Sequence, residues 1–189
     1  MLIGNDLVDL KQAVSDSNWQ RKGYLNKICT PAEQQLISVA PIPSVMVWLI
    51  WTMKEAGYKI ISRKTGLRSY NPLSLSCEHV IADQLQATGQ VKYGSEVFEV
   101  KSKISHELIH STAVSAQEDF EGLHLHFLSY TKTYLEDFNR SSADYRLVKT
   151  PSGLPEMIHT ATGHRHIASV SHHGRFVAVT YSGSPLSGG

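Results

Sequence analysis

Two stretches far apart in the chain set acid groups among apolar neighbours: Gly4-Asn5-Asp6-Leu7-Val8-Asp9 near the start and Trp51-Thr52-Met53-Lys54-Glu55-Ala56-Gly57-Tyr58-Lys59 downstream. A fold that packs a carboxylate against Leu, Val or Trp must compensate its charge. A hard divalent cation such as Mg²⁺ does this with one or two protein carboxylates, leaving its other positions to water and phosphate oxygens. Asp6 and Glu55 are therefore the candidate metal pair, with Lys54 and Lys59 beside them as point-charge phosphate binders. The plainer alternative makes Asp6 a turn residue and joins Glu55 to Lys59, four positions on, as a surface ion pair along one helix face.

At 189 residues the chain can bury roughly 70% of its extended surface in one domain. We read 1–181 as that single domain and 182–189, rich in Gly, Ser and Pro, as a flexible tail. With 19% charged residues and a formal net charge of +1, no field-driven nucleic-acid or membrane partner is implied. Cys29 and Cys77 lack CxxC spacing, which argues against a disulfide framework or a thiolate zinc site and fits a reducing cytoplasm. The start of the chain lacks a basic leader region, and the most apolar segment, Ser44 to Ile50, is far below the ~20 residues of a membrane span. The expected location is cytoplasmic.

The pattern predicts an α+β fold with helices packed on an antiparallel sheet. Residues 1 to 10 suit a short strand, and Asn18 to Lys27 reads as helical. Thr30-Pro31-Ala32-Glu33 is a capping box with proline at the first helical position, opening a helix to about Val39. Ser44 opens a second helix that stops near Gly66, carries Glu55, and has Met46, Trp48 and Trp51 as core. Further on, Thr88-Gly89 and Tyr93-Gly94-Ser95 read as turns, while Val97 to Val100, His110 to Ala116 and Leu123 to Leu128 read as strands. Ser129 to Ser142 can hold a helix with Tyr134, Leu135 and Phe138 on one side. A final strand pair, Ile167 to Ser171 and Phe176 to Tyr181, is joined through His172-His173-Gly174. No internal repeat is legible.

Several histidines need weighing. His106-Glu107-Leu108-Ile109-His110 spells HExxH, whose two imidazoles bind zinc, with glutamate as base, only on a helix. Here the motif runs into the β-favouring Ser111-Thr112-Ala113-Val114-Ser115, and in a strand the two imidazoles would sit about 13 Å apart. A zinc metallohydrolase is therefore the lesser alternative. His124 with His126, and His164 with His166, read as edge or surface residues. In Ser169-Val170-Ser171-His172 the two serines share a strand face and His172 ends it, so hydroxyls and an imidazole could meet a phosphate.

Taken in order, Gly4-Asn5-Asp6, Trp51 to Lys59 and Ser169-Val170-Ser171-His172 resemble the motifs of the 4′-phosphopantetheinyl transferase superfamily. Ile28-Cys29-Thr30 with Glu33 resembles its helix start, and Pro151-Ser152-Gly153-Leu154-Pro155 its Gly-Lys-Pro turn. The motif order is similar to the small holo-acyl-carrier-protein synthase branch, whereas the Trp-Thr-Met-Lys-Glu-Ala wording is similar to the larger surfactin-type branch. The resemblance implies Mg²⁺-dependent transfer of phosphopantetheine from coenzyme A to a serine of an apo carrier protein, releasing 3′,5′-ADP. It implies Asp6 and Glu55 as metal ligands, with Glu55 also the plausible base. Lys59 becomes a phosphate contact, Lys54 a helper at the attacking hydroxyl, and Ser171 and His172 neighbours of the 3′-phosphate. Because the chain reads as too short for two complete halves, the resemblance favours a homo-oligomer, a trimer, with sites between subunits.

The chain departs from the family pattern at Gln12, where an arginine is common, at Ile60 to Lys64, which replace a Gly-rich stretch, and at Leu154, where a lysine is usual. Arg63, Lys64 and Arg68 are the candidate substitutes, and Arg21, Lys22 and Lys27 could face an acidic carrier helix. The missing basic residues also fit a member that binds coenzyme A or a carrier without transferring anything.

Overall fold

The computed structural model describes residues 2–66, 68–115 and 120–183. Strand β1, Ile3–Asp9, is buried along almost its whole length. It hands the chain directly to helix α1, Leu10–Asp16, because the Asp9 carboxylate accepts from the Lys11 and Gln12 amides at 3.0 and 3.3 Å. The expected helix over Asn18 to Lys27 shrinks to α2, Leu25–Ile28, since Gly23 takes φ +78° and breaks the run. Helix α3, Pro31–Val39, has the anticipated capping box: Thr30 caps the Glu33 amide and Glu33 accepts from the Thr30 amide at 2.7 Å. Helix α4, Pro43–Thr65, starts on Pro43 without a side-chain cap and ends at Gly66 in the left-handed region, φ +74°.

Four antiparallel strands follow: β2 Ser76–Ala82, β3 Gln86–Tyr93, β4 Glu96–Ile104 and β5 Leu108–Ser115. Thr88-Gly89 is not a turn but the middle of β3. A Cβ on Gly89 would lie 2.8 Å from the Met53 methyl, so the glycine makes room for α4. The last element of this run, β5, returns to pair with β1, giving the order β1-β5-β4-β3-β2.

The second part of the chain repeats this plan. It consists of β6 Leu123–Ser129, helix α5 Tyr134–Ser141, β7 Tyr145–Lys149, β8 Pro155–His159, β9 Arg165–His173 and β10 Phe176–Ser182. Its sheet has the order β6-β10-β9-β8-β7: first strand, helix, then a four-strand return. The chain therefore holds two halves of one topology, an internal repeat that the residues alone did not reveal. This removes the premise of the trimer expectation, that the chain is too short for two halves. The repeat is hard to read because eight residues of α5 stand where the first half has α1 to α4.

The largest apolar cluster surrounds α4 and includes Trp48, Met53, Ile60 and Phe98, with Met46 and Trp51 packed at its margin. A second gathers Phe138, Leu147, Met157 and Val179, with Tyr134 and Leu135 of α5 beside it as anticipated. Between the halves, the outer edge of β1 rests on the face of β9. The Asn5 amide donates to Ser169 Oγ at 2.9 Å and the Asp9 amide to His173 Nδ1 at 3.0 Å. Both pairs are 164 residues apart, so the two strands run in the same direction. Buried Asn5 secures the seam, taking a hydrogen bond from Ser169 Oγ at 2.8 Å and donating to Ala178 O and Thr180 Oγ1, each at 3.2 Å.

The span expected as a flexible tail divides: Ser182 belongs to β10, and 184–189 lie outside the described residues. Ala116, expected at the end of a strand, also lies outside them.

Candidate functional site

Helix α4 lies so close to β1 that a Cβ on Gly4 would collide with the Ala56 carbonyl oxygen. This approach brings the Glu55 side of α4 over Asp6, and both line a cleft of about 350 Å³ with Asp16, Trp51, His172 and His173. Hollows of about 510 and 630 Å³ elsewhere are larger, but neither is lined by two carboxylates.

Burial raises the Asp6 carboxyl above its ordinary range, partly offset by Lys59. Burial, reinforced by the Asp6 charge and opposed by Lys59, pushes Glu55 up to about 7. Lys59 is 3.1 Å from Asp6 Oδ1 and donates to the Asn5 carbonyl at 2.6 Å. The plainer reading, a surface pair of Glu55 with Lys59, is thus replaced by a tie from α4 to β1. Among the described residues, no group hydrogen-bonds the Glu55 carboxylate.

Lys54 does not join this cleft. It is fully buried and pairs with Glu33 at 2.6 Å, while donating to the carbonyls of Ile28 at 2.9 Å and Pro72 at 3.0 Å. All three ammonium donors are spent, which corrects the expectation of a helper at an attacking hydroxyl. Glu33 is equally committed, accepting also from the Cys77 amide at 2.7 Å.

Along β9, Ser169 is occupied by Asn5, and Ser171 is buried with its hydroxyl unpartnered. His172 points away from that face and stacks on Tyr130 at 5.0 Å. Burial, together with Lys59 and Lys149, lowers its pKa. The residue that shares the serines' face is His173, whose Nδ1 accepts from Asp9, leaving Nε2 to face Asp16 at 3.3 Å. The strand runs through His173, so the hairpin turns at Gly174-Arg175 and not at 172–174. Period-two alternation from Ser169 would have reached His173 in the sequence.

The candidate basic substitutes are turned to other work. Arg63 donates to Pro155 O at 2.8 Å and Ala168 O at 2.6 Å, Lys64 pairs with Glu96 at 2.7 Å, and Arg68 donates to Ser152 O at 2.8 Å. Arg175 reaches the Asp9 carboxylate at 2.8 Å and Glu107 at 3.1 Å, holding the Asp9 carboxyl well below the usual range. Leu154 lines a small hollow of about 180 Å³ with Lys59 and Arg63.

The zinc reading is overturned. His106 and Glu107 lie in a bend, while Leu108 to His110 belong to β5, so no helix aligns the imidazoles. His110 is buried against Phe127, and burial lowers its pKa to about 3. His124 and His126 stack on Tyr181 at 4.9 and 5.7 Å, and His166 is buried rather than superficial. Among the described residues no group of three or more His, Cys, Asp or Glu could hold a metal. A cation kept by two carboxylates, with water and phosphate completing its shell, needs no such group.

Sequence reasoning missed Asp16, His173 and Tyr70. Tyr70 packs edge-on to Trp51 at 5.6 Å and against Tyr58 at 4.8 Å. Its hydroxyl is buried without a hydrogen-bond partner, and burial, with the Glu55 and Asp6 charges, pushes its pKa far up. Both cysteines are buried free thiols, and no described helix is long and apolar enough to cross a membrane.

A family model described as the 4′-phosphopantetheinyl transferase superfamily matches residues 2–116, the span of the first half. The Ser169 to His172 stretch lies outside it. No curated protein matches the chain.

Proposed function

Because the chain belongs to the 4′-phosphopantetheinyl transferase superfamily, we propose that it transfers phosphopantetheine from coenzyme A to a serine of an apo carrier protein. The observation that carries this reading is the cleft shared by Asp6 and Glu55, whose raised pKa values mark two acids with too little positive charge between them. That donor set fits a hard cation: two carboxylates at one half-buried place, with room beside them for phosphate oxygens. Asp6 and Glu55 would hold Mg²⁺, which when bound neutralises the diphosphate charge.

The chain's own groups do the rest. Glu55, the acid on the α4 side of the cleft, accepts the proton of the acceptor serine. The serine oxygen bonds to the β-phosphorus as the bond to the bridging oxygen breaks, and 3′,5′-ADP leaves. Lys59 can turn from Asp6 to a phosphate oxygen without losing its anchor on Asn5 O. His172 on the rim is our candidate contact for the 3′-phosphate, while the unspent Ser171 hydroxyl lies on the other face of the same strand, the one turned toward β1. Both acids, Lys59 and β9 come from one chain, so in this reading the site is completed within a chain and not between subunits.

A second reading has its own support: Lys54, Arg63 and Arg175 are spent internally, as in a member that binds without transferring. Purified protein, coenzyme A, Mg²⁺ and an apo carrier protein decide between them. Transfer gives a mass gain of one phosphopantetheine on the carrier, lost in Glu55→Gln. Coenzyme A binding with no mass gain on any apo carrier tried would favour the second reading.

A further inference from the structure

Tyr70 is the strongest unexplained group outside the motifs. Its ring bridges Trp51 and Tyr58, and Glu55 lies between those two on the same stripe of α4, four residues after the first and three before the second. The hydroxyl is closed off from solvent and has no hydrogen-bond partner. Burying a donor in this way is costly unless it is used. The carboxylate that acts on it most strongly, Glu55, has no hydrogen bond from any described residue either. An unspent donor is thus held by aromatic walls against the two residues that flank an unspent acceptor on α4.

We propose that Tyr70 is a positioning residue, whose hydroxyl donates a hydrogen bond to the Glu55 carboxylate when that carboxylate turns to hold a divalent cation. The inference rests on the reading of Asp6 and Glu55 as the cation pair. The physical logic is that of a ligating carboxylate oriented by an outer partner: one oxygen is fixed by the hydrogen bond, which aims the other at the metal. Tyr70 touches neither substrate nor cation. Its ring packing sets the direction, and its hydroxyl supplies the tether.

The test is Mn²⁺ binding to the full chain in the presence of coenzyme A, followed by electron paramagnetic resonance of the free ion. Wild type, Tyr70→Phe, Glu55→Gln and the double variant are compared. Tyr70→Phe keeps the ring and should weaken Mn²⁺ binding roughly 10- to 100-fold. In the Glu55→Gln background the same change should have no further effect, a coupling that a merely structural tyrosine would not show. Should Tyr70→Phe lower the melting temperature, the comparison in the two backgrounds still decides. Equal Mn²⁺ affinity of wild type and Tyr70→Phe, or an equal loss in both backgrounds, overturns the proposal while leaving the cation pair intact. A wild type that binds no Mn²⁺ overturns the cation pair, and this inference with it.

Discussion

Lys54 and Glu33 meet at 2.6 Å with neither side chain exposed, fastening α4 to the capped start of α3 one residue before Glu55. Truncating one partner of such a pair strands the other charge in the core. Lys54→Ala should therefore cost about 3–5 kcal/mol in urea unfolding. Lys54→Met should remain well below wild type despite its similar volume, since the Glu33 carboxylate stays uncompensated. A loss under 1 kcal/mol, roughly that of a surface ion pair, would contradict this role.

The pH dependence of stability has a definite sign at Glu55. Its pKa stands at about 7 in the fold against an ordinary 4.5, so the native state keeps a proton that the unfolded chain releases between those values. That contribution is complete below pH 4.5 and is lost as pH rises through about 7. Cation-free thermal melts of Glu55→Gln should lack this decline, and Mg²⁺ should raise the wild-type melting temperature more at pH 8 than at pH 6.

Gly174 takes φ +53°, and a Cβ there would lie 2.5 Å from Asp9 Oδ2 and 2.8 Å from Gln12 Cβ. Gly174→Ala combines left-handed strain with a clash against the carboxylate that Arg175 holds. It should destabilise by about 1–3 kcal/mol, measured by denaturant midpoint at constant slope.

Asn5 secures the seam between the halves with Ser169, Ala178 and Thr180. Asn5→Leu leaves the buried Ser169 hydroxyl and the Thr180 oxygen short of partners, at about 1–3 kcal/mol. Amide exchange in β9 and β10 should quicken more than in β3, which is remote from the seam.

Local signals were legible wherever one residue dictates its neighbours. Thr30 and Glu33 cap each other as read, Gly66 stops α4, and Tyr134, Leu135 and Phe138 share a side of α5. The carboxylates at Asp6 and Glu55 stood out because acids among apolar residues are rare, and the fold places them in one cleft. What failed was long-range. Lys54 and Lys59 look alike in sequence, yet the turn of the helix sends one to Glu33 and the other to Asp6. Arg63 and Arg68 looked like unattached charge until tertiary contacts gave them carbonyl partners. The doubled topology was hidden because strand order is a property of pairing, to which period-two alternation is blind.

The seam has a consequence for solubility. As the terminal strand of its sheet, β1 would present a row of bare amides able to recruit a strand from a stranger, the usual route to edge-to-edge aggregation. Ser169 and His173 occupy two of those amides, with hydroxyl and imidazole acceptors that admit no further strand. The opposite rim, β2, is guarded differently, by a register break between Glu78 and Ile81 that disrupts the template. The contact that completes the cleft thus also blunts a sticky border.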